Sequence, residues 1–181
     1  MKFLLFMWLC LSFSLVGNAQ NSKPPLLKNL WKANYNLTNV NGEYEGVIGE
    51  KSTMRFSAGV GISFRAYGGG NELFFDYSIS PLLTTEYRNY YNIEKRSRIG
   101  KRIQNNSGNF LALTLLGKLP AFYSKNEFGK EGAIALIPNW GLQRGVGRKC
   151  NFQFQAGPGI VTDFKEISIF PNVRIGVGYV F

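Results

Sequence analysis

The chain contains no histidine, and that absence removes a large part of enzymology. Ser-His and Cys-His dyads, imidazole acid–base steps and His-ligated metal sites are all excluded. Carboxylates are scarce, 11 against 21 Lys and Arg, giving a formal charge of +10 over 181 residues. Charged residues make up 18% of the chain, below the roughly one quarter usual in soluble domains, while aromatics reach 15%. Cysteine is limited to Cys10 and Cys150. No G-x-G-x-x-G, G-x-S-x-G or paired-cysteine metal motif occurs. The length suits a single domain behind a short leader.

That leader is legible at the start. Lys2 supplies a positive charge, Phe3 to Val16 form an apolar stretch broken only by Ser12 and Ser14, and Gly17-Asn18-Ala19 offers a small-residue cleavage site. The pattern predicts a secretory signal peptide over 1–19 and a mature domain over 20–181. The apolar stretch is shorter than the about 20 residues a spanning helix needs. Cleavage leaves Cys150 as the single thiol, so no internal disulfide is expected despite export. No later apolar run reaches the length of a spanning helix.

What is abundant instead is alternation of period two. Over 53–65, Met54, Phe56, Ala58, Val60, Ile62 and Phe64 share one face, and Thr53, Arg55, Ser57, Gly59, Gly61, Ser63 and Arg65 share the other. Segments 73–88, 151–160 and 172–181 repeat the pattern, with Leu82 and Val180 as exceptions. Weaker candidates are 29–37, 40–48, 108–118 and 132–142. Pro81 and Pro138 inside these runs predict bulges or kinks. The expectation is an all-β, eight-stranded, antiparallel, up-and-down transmembrane β-barrel.

Period two does not by itself separate a membrane barrel from a soluble lipocalin-like one, in which the apolar face would point inward. The second face here is mainly Gly, Ser and Thr with a few charges, which suits the narrow lumen of eight strands better than a water-facing surface. Arg55, Arg65, Arg88 and Arg174 are therefore expected inside, since lipid-facing Arg at mid-depth costs about 2–4 kcal/mol. Glu43, Glu45, Asp76 and Glu86 are their expected partners in an interior polar network that fills and stiffens the barrel.

Eight strands place both mature termini on the periplasmic side. Turns at 49–52, 89–107 and 143–150 then face the periplasm, and loops at 38–39, 66–72, 119–131 and 161–171 face outward. Aromatic belts are expected at both interfaces. The periplasmic belt would hold Trp31, Tyr87, Tyr90, Phe110, Phe152, Tyr179 and Phe181. The outer belt would hold Phe64, Tyr67, Phe74, Phe128, Phe164 and Phe170. The 89–107 connection is unusually long and basic, with Arg88, Lys95, Arg96, Arg98, Lys101 and Arg102 against Glu94 in 88–102. A short helix near 92–101 is predicted. Lys95, Arg96, Arg98, Lys101 and Arg102 form a basic periplasmic segment suited to anionic lipid headgroups or an acidic partner, or simply solvated.

The terminal run Val173, Ile175, Val177, Tyr179, Phe181 resembles the signal by which outer-membrane barrels are recognised for assembly, with Tyr179 and Phe181 as its aromatic positions. EYRNYYNIEKR, PNWGLQRGVGRKCNFQFQAGPGI and IGVGYVF resemble the small outer-membrane β-barrel proteins of Bacteroidota and, more distantly, OmpA- and OmpX-like eight-strand barrels. The long fourth connection departs from the minimal barrels. The resemblance implies location in the outer membrane of a Gram-negative bacterium, with membrane lipid and the barrel-assembly machinery as partners. It implies no residue-level activity. The expected function is a non-enzymatic structural or interaction role, with a narrow channel or a soluble lipocalin-like binding barrel as alternatives. No catalytic residue, metal, cofactor or nucleic-acid partner is expected.

Overall fold

A computed structural model describes residues 26–69 and 72–181, so the expected leader lies outside the described residues. The alternating segments become long antiparallel strands: β1 (Leu30–Asn36), β2 (Asn39–Val47), β3 (Ser52–Gly69), β4 (Glu72–Asn89), β5 (Asn109–Lys118), β6 (Tyr123–Ser124), β7 (Ala133–Val146), β8 (Cys150–Thr162) and β9 (Ile167–Val180). Eight of them close a ring in the order β3-β2-β1-β9-β8-β7-β5-β4, with β4 pairing back onto β3. The two-residue β6, not expected from the sequence, adds onto β4 beyond the end of β5 through Ser78↔Ser124 and Ile79↔Tyr123. No helix among the described residues is long and apolar enough to cross a membrane.

The ring is strongly staggered. Paired residues lead from Lys32 through Glu43, Ser57, Thr84, Leu116, Ala135 and Val161 to Ser168. Lys32 itself faces Val180, twelve residues further along β9. Closing a sheet with such an offset requires steeply tilted strands. The hairpins are consequently uneven in height, which matters below.

Each strand sorts its side chains by parity. Lys32, Asn34 and Asn36 are buried in the lumen, and Trp31 and Tyr35 are exposed outside. Glu43, Glu45, Thr53, Arg55, Glu86 and Arg88 point inward and are buried, whereas Phe56, Val60, Phe75, Leu83, Leu111, Leu113, Leu115, Ile175 and Val177 are exposed on the outer wall. Two apolar side chains are exceptions. Leu82 points inward, where Gly61 leaves room against its Cδ1. Val180 is also inward and buried.

The prolines differ from expectation. The β3–β4 register is unbroken through Val60↔Pro81. Pro81 lies just past the last β4–β5 pair, where its carbonyl accepts from Leu119 and its missing N–H removes no ladder bond. At Pro138 the β7–β8 ladder lapses between Leu136↔Ile160 and Trp140↔Ala156 without a shift of register. No bulge results in either case.

The end of the ring that carries Leu26 and Phe181 is capped. After β4 the chain makes a short helix, α1 (Ile93–Arg98), with Glu94 in its first turn and Lys95, Arg96 and Arg98 in its last, the order the helix dipole favours. Leu27, Tyr90, Ile93, Phe110 and Ala112 form a buried apolar cluster, flanked by Leu26, Val47 and Ile103. Leu27, Ile93 and Phe110 each contribute about 1.5–3 kcal/mol on burial. Tyr90 and Phe110 therefore do not belong to an exposed aromatic belt. Phe110 sits in the lumen because Gly141 has no Cβ, which would lie 2.5 Å from the ring. Phe170 likewise turns inward over Gly159. Asn105 and Asn106, both at positive φ, end the connection, and the Asn106 amide bridges the N–H and carbonyl of Lys28 at 2.9 Å each.

Candidate functional site

Burying ionic groups inside a ring of eight strands is costly unless each is paired. The lumen meets that demand at one level. Glu45, Arg55 and Glu86 are directly paired across β2, β3 and β4, and Lys32 of β1 pairs with Glu43 one step along β2. Lys32 Nζ lies 2.8 Å from Glu43 Oε1 and 2.5 Å from Glu45 Oε2. Arg55 reaches Glu43 Oε2 with Nε at 3.0 Å and Glu86 Oε1 with Nη1 at 3.2 Å. Arg88 Nε pairs with Glu86 Oε1, while Nη1 and Nη2 donate to Gln143 (2.9 Å) and Gln153 (3.2 Å). Glu86 also accepts from Thr114 (2.7 Å) and Gln155 (2.9 Å), and Glu45 accepts from Tyr90 (2.7 Å) and Thr53 (3.0 Å). The Arg88 guanidinium lies over the Phe110 ring, 4.3 Å from its centroid.

The central network thus joins Glu43, Glu45, Arg55, Glu86 and Arg174 with Arg88. The sequence reading missed Lys32, Tyr90 and the glutamines 143, 153 and 155. Lys32 was obscured because 29–37 alternates weakly. The glutamines carry no charge to mark them; Gln153 and Gln155 fall at inward parity in a predicted strand, whereas Gln143 falls in the predicted 143–150 turn, much of which the structure gives to β7. Arg65 and Asp76 lie apart. They pair at 2.6 Å ten residues along the same hairpin, with Arg65 half-exposed at the end of the ring opposite α1. Asn126 donates to Asp76 at 2.8 Å, and the Phe128 ring lies under Arg65, 4.7 Å away. This pair docks the β5–β7 loop onto the β3–β4 hairpin.

The balance of charge at the centre is uneven. Lys32, Arg55, Arg88 and Arg174 stand against Glu43, Glu45 and Glu86, leaving one excess cation. Arg174 is the least engaged: its nearest carboxylate oxygen is Glu86 Oε2 at 3.5 Å. Arg174 and Arg55 line a cavity of about 270 Å³ that extends towards the end of the ring opposite α1. Lys118 stands at its rim, bonded to the carbonyls of Gly129 and Glu131. Asn39, Asn41, Ser57, Thr84 and Asn172 supply further polar atoms, and among the described residues no carboxylate lines the space.

The basic connection divides into two roles. Arg96 donates to the carbonyl of Arg102 at 2.8 Å, and Arg102 bonds Gln104 and the carbonyl of Gly147. These two hold the cap together. Lys95, Arg98 and Lys101 are exposed. Tyr179 and Phe181 lie outside on the last strand, edge to face at 5.2 Å. No group of three or more potential metal ligands occurs among the described residues.

Comparison with protein-family models, with curated proteins and with solved structures gives no match.

Proposed function

We propose that the chain is an eight-stranded outer-membrane β-barrel of a Gram-negative bacterium, non-enzymatic, serving a structural or interaction role from a rigid, internally sealed scaffold. One observation carries this reading: the lumen is ionic and hydrogen-bonded, while the wall exposes Phe56, Val60, Leu113, Ile175 and their neighbours. In water such a wall is a large aggregation liability. In a bilayer it is the required apolar band, and ring closure leaves few unpaired backbone groups at its middle. A soluble lipocalin-like barrel would bury these faces. The apolar cap and the ion-pair layer beneath the cavity also count against a through-channel.

Membrane fractionation with boiled and unboiled electrophoresis tests the proposal. The expected result is recovery in the outer membrane and a heat-dependent change of mobility. A periplasmic, heat-indifferent protein overturns it.

The basic segment adds an interaction surface on the side of the termini. Replacing Lys95, Arg98 and Lys101 by Gln is expected to preserve the mobility shift while weakening co-flotation with anionic vesicles. At about 1 kcal/mol per basic residue near such a surface, the loss is roughly 150-fold. Unchanged co-flotation rejects this role. Arg96 and Arg102 are left intact because they bond the cap.

A further inference from the structure

The wall of the ring is low at one place. β1 has 7 residues, fewer than the about 9–11 a spanning strand needs. Its hairpin with β2 turns at Leu37 and Thr38. The neighbours continue well beyond. On one side β3 loses its partner after Asn39↔Gly61 and Ile62 N–H to Thr38 O, yet runs on to Gly69. On the other side β9 pairs with β1 only up to Asn36↔Gly176, with a last bond from Leu37 N–H to Ile175 O, yet begins at Ile167. Among the described residues, 63–69 and 167–174 have no strand on these facing edges. The result is a notch three strand spacings across, about 14 Å.

The lumenal cavity reaches this notch. Most of its lining residues point inward, but Val40, Val60, Ile62 and Val173 point outward by parity and still line it. All four flank the notch, so the cavity continues through the wall there. The apolar outer face extends up both jambs, through Phe64 on β3 and Ile169 and Ile167 on β9. Unpaired backbone groups are not tolerated against hydrocarbon but are tolerated beside a polar cavity or headgroups. The notch therefore belongs at the acyl–headgroup boundary. Inside it, Arg174, 3.5 Å from Glu86, Arg55, already paired with Glu43 and Glu86, and Lys118 line the space, no carboxylate among the described residues lines it, and the network below has one cation in excess.

We propose that this notch is a lateral entrance that admits the compact anionic head of a membrane amphiphile, a carboxylate or phosphate monoester, to Arg174 and Arg55 while its acyl chain remains in the bilayer. The proposal rests on the outer-membrane reading above. A volume of about 270 Å³ holds such a head and the first carbons of its chain. Arg174 is the principal contact because its 3.5 Å approach to Glu86 is the loosest pairing of the four central cations among the described residues. Its removal leaves three cations against three carboxylates, so the scaffold remains balanced.

The test is calorimetric titration of the refolded protein in neutral detergent with dodecanoate, dodecyl phosphate, dodecyltrimethylammonium and inorganic phosphate. Saturable binding is expected for one or both anionic amphiphiles, at least 10-fold weaker binding for inorganic phosphate, and none for the cationic amphiphile. Which anionic probe binds more tightly distinguishes a fatty-acid-like ligand from a phosphorylated one. Arg174→Gln should lower the affinity at least 10-fold with the heat-dependent mobility shift intact. Lengthening the β1–β2 hairpin by four residues at Thr38, which raises the wall, should abolish the advantage of the acyl chain. Equal binding of inorganic phosphate and the amphiphiles, indifference to Arg174→Gln, or binding of the cationic amphiphile overturns the entrance. A protein that inserts and shifts on heating but binds no amphiphile defeats this inference alone, whereas a periplasmic protein defeats the barrel reading as well.

Discussion

Replacing Glu86 by Leu is expected to eliminate the folded, heat-modifiable species or to lower its unfolding midpoint sharply. Glu86 is fully buried and is shared by Arg55, Arg88 and Arg174, with Thr114 and Gln155 also bonded to it. Its loss leaves four lumenal cations facing two carboxylates. Removing one partner of a buried pair costs about 3–5 kcal/mol, because the remaining charge stays desolvated and unpaired. Here three cations lose a partner at once, so the effect should lie at the upper end of that range. Urea unfolding of refolded protein measures it. Glu86→Gln combined with Arg174→Gln restores the original excess of one cation and keeps hydrogen-bonding atoms in place, so it should recover part of the loss. A stability unchanged by Glu86→Leu would mean that the ion-pair layer does not hold the ring together.

Leu113→Arg is expected to destabilise the protein by about 2–4 kcal/mol in lipid vesicles if the outer wall meets hydrocarbon at mid-depth. Leu113 lies on the outer face of β5, 48% exposed, between Tyr87 of β4 and Pro138 of β7. Leu111 and Leu115 extend the apolar surface above and below it. On a wall facing water the same change would fall within about 0.5 kcal/mol of zero, as exposed substitutions usually do. Val146→Arg, at the end of β7 beside the termini, is the internal control and should cost only about 0–1 kcal/mol, because the penalty fades towards the interface. Equal, small effects at both positions would remove the central support for membrane insertion. The two experiments are independent: one tests what holds the lumen together, the other what surrounds the wall.

Much of the arrangement was visible in the order of residues because a strand alternates its faces. Wherever apolar and polar residues alternate strictly, as in 53–65, parity assigns the faces, and it also assigns an inward side to Arg55 and Arg174. Parity fails where it is ambiguous. Tyr90 follows the end of a strand and Phe110 comes just inside the start of one, and their bulk suggested an interface belt. The structure turns them inward because α1 folds across the end of the ring and Gly141 leaves space for the Phe110 ring. Lys32 was passed over for a related reason: a single lysine in a weakly alternating segment carries no sign of the two glutamates it meets.

The sequence alone therefore settled the local period, the sidedness of the long strands and a short helix within 92–101, which the structure places at Ile93–Arg98. These are properties of a few adjacent residues. Which ions share an oxygen, how the lumen closes at one end, and why its wall dips between β3 and β9 depend on the stagger of eight strands around a ring. No local stretch encodes that offset, because it is set only when the last strand meets the first.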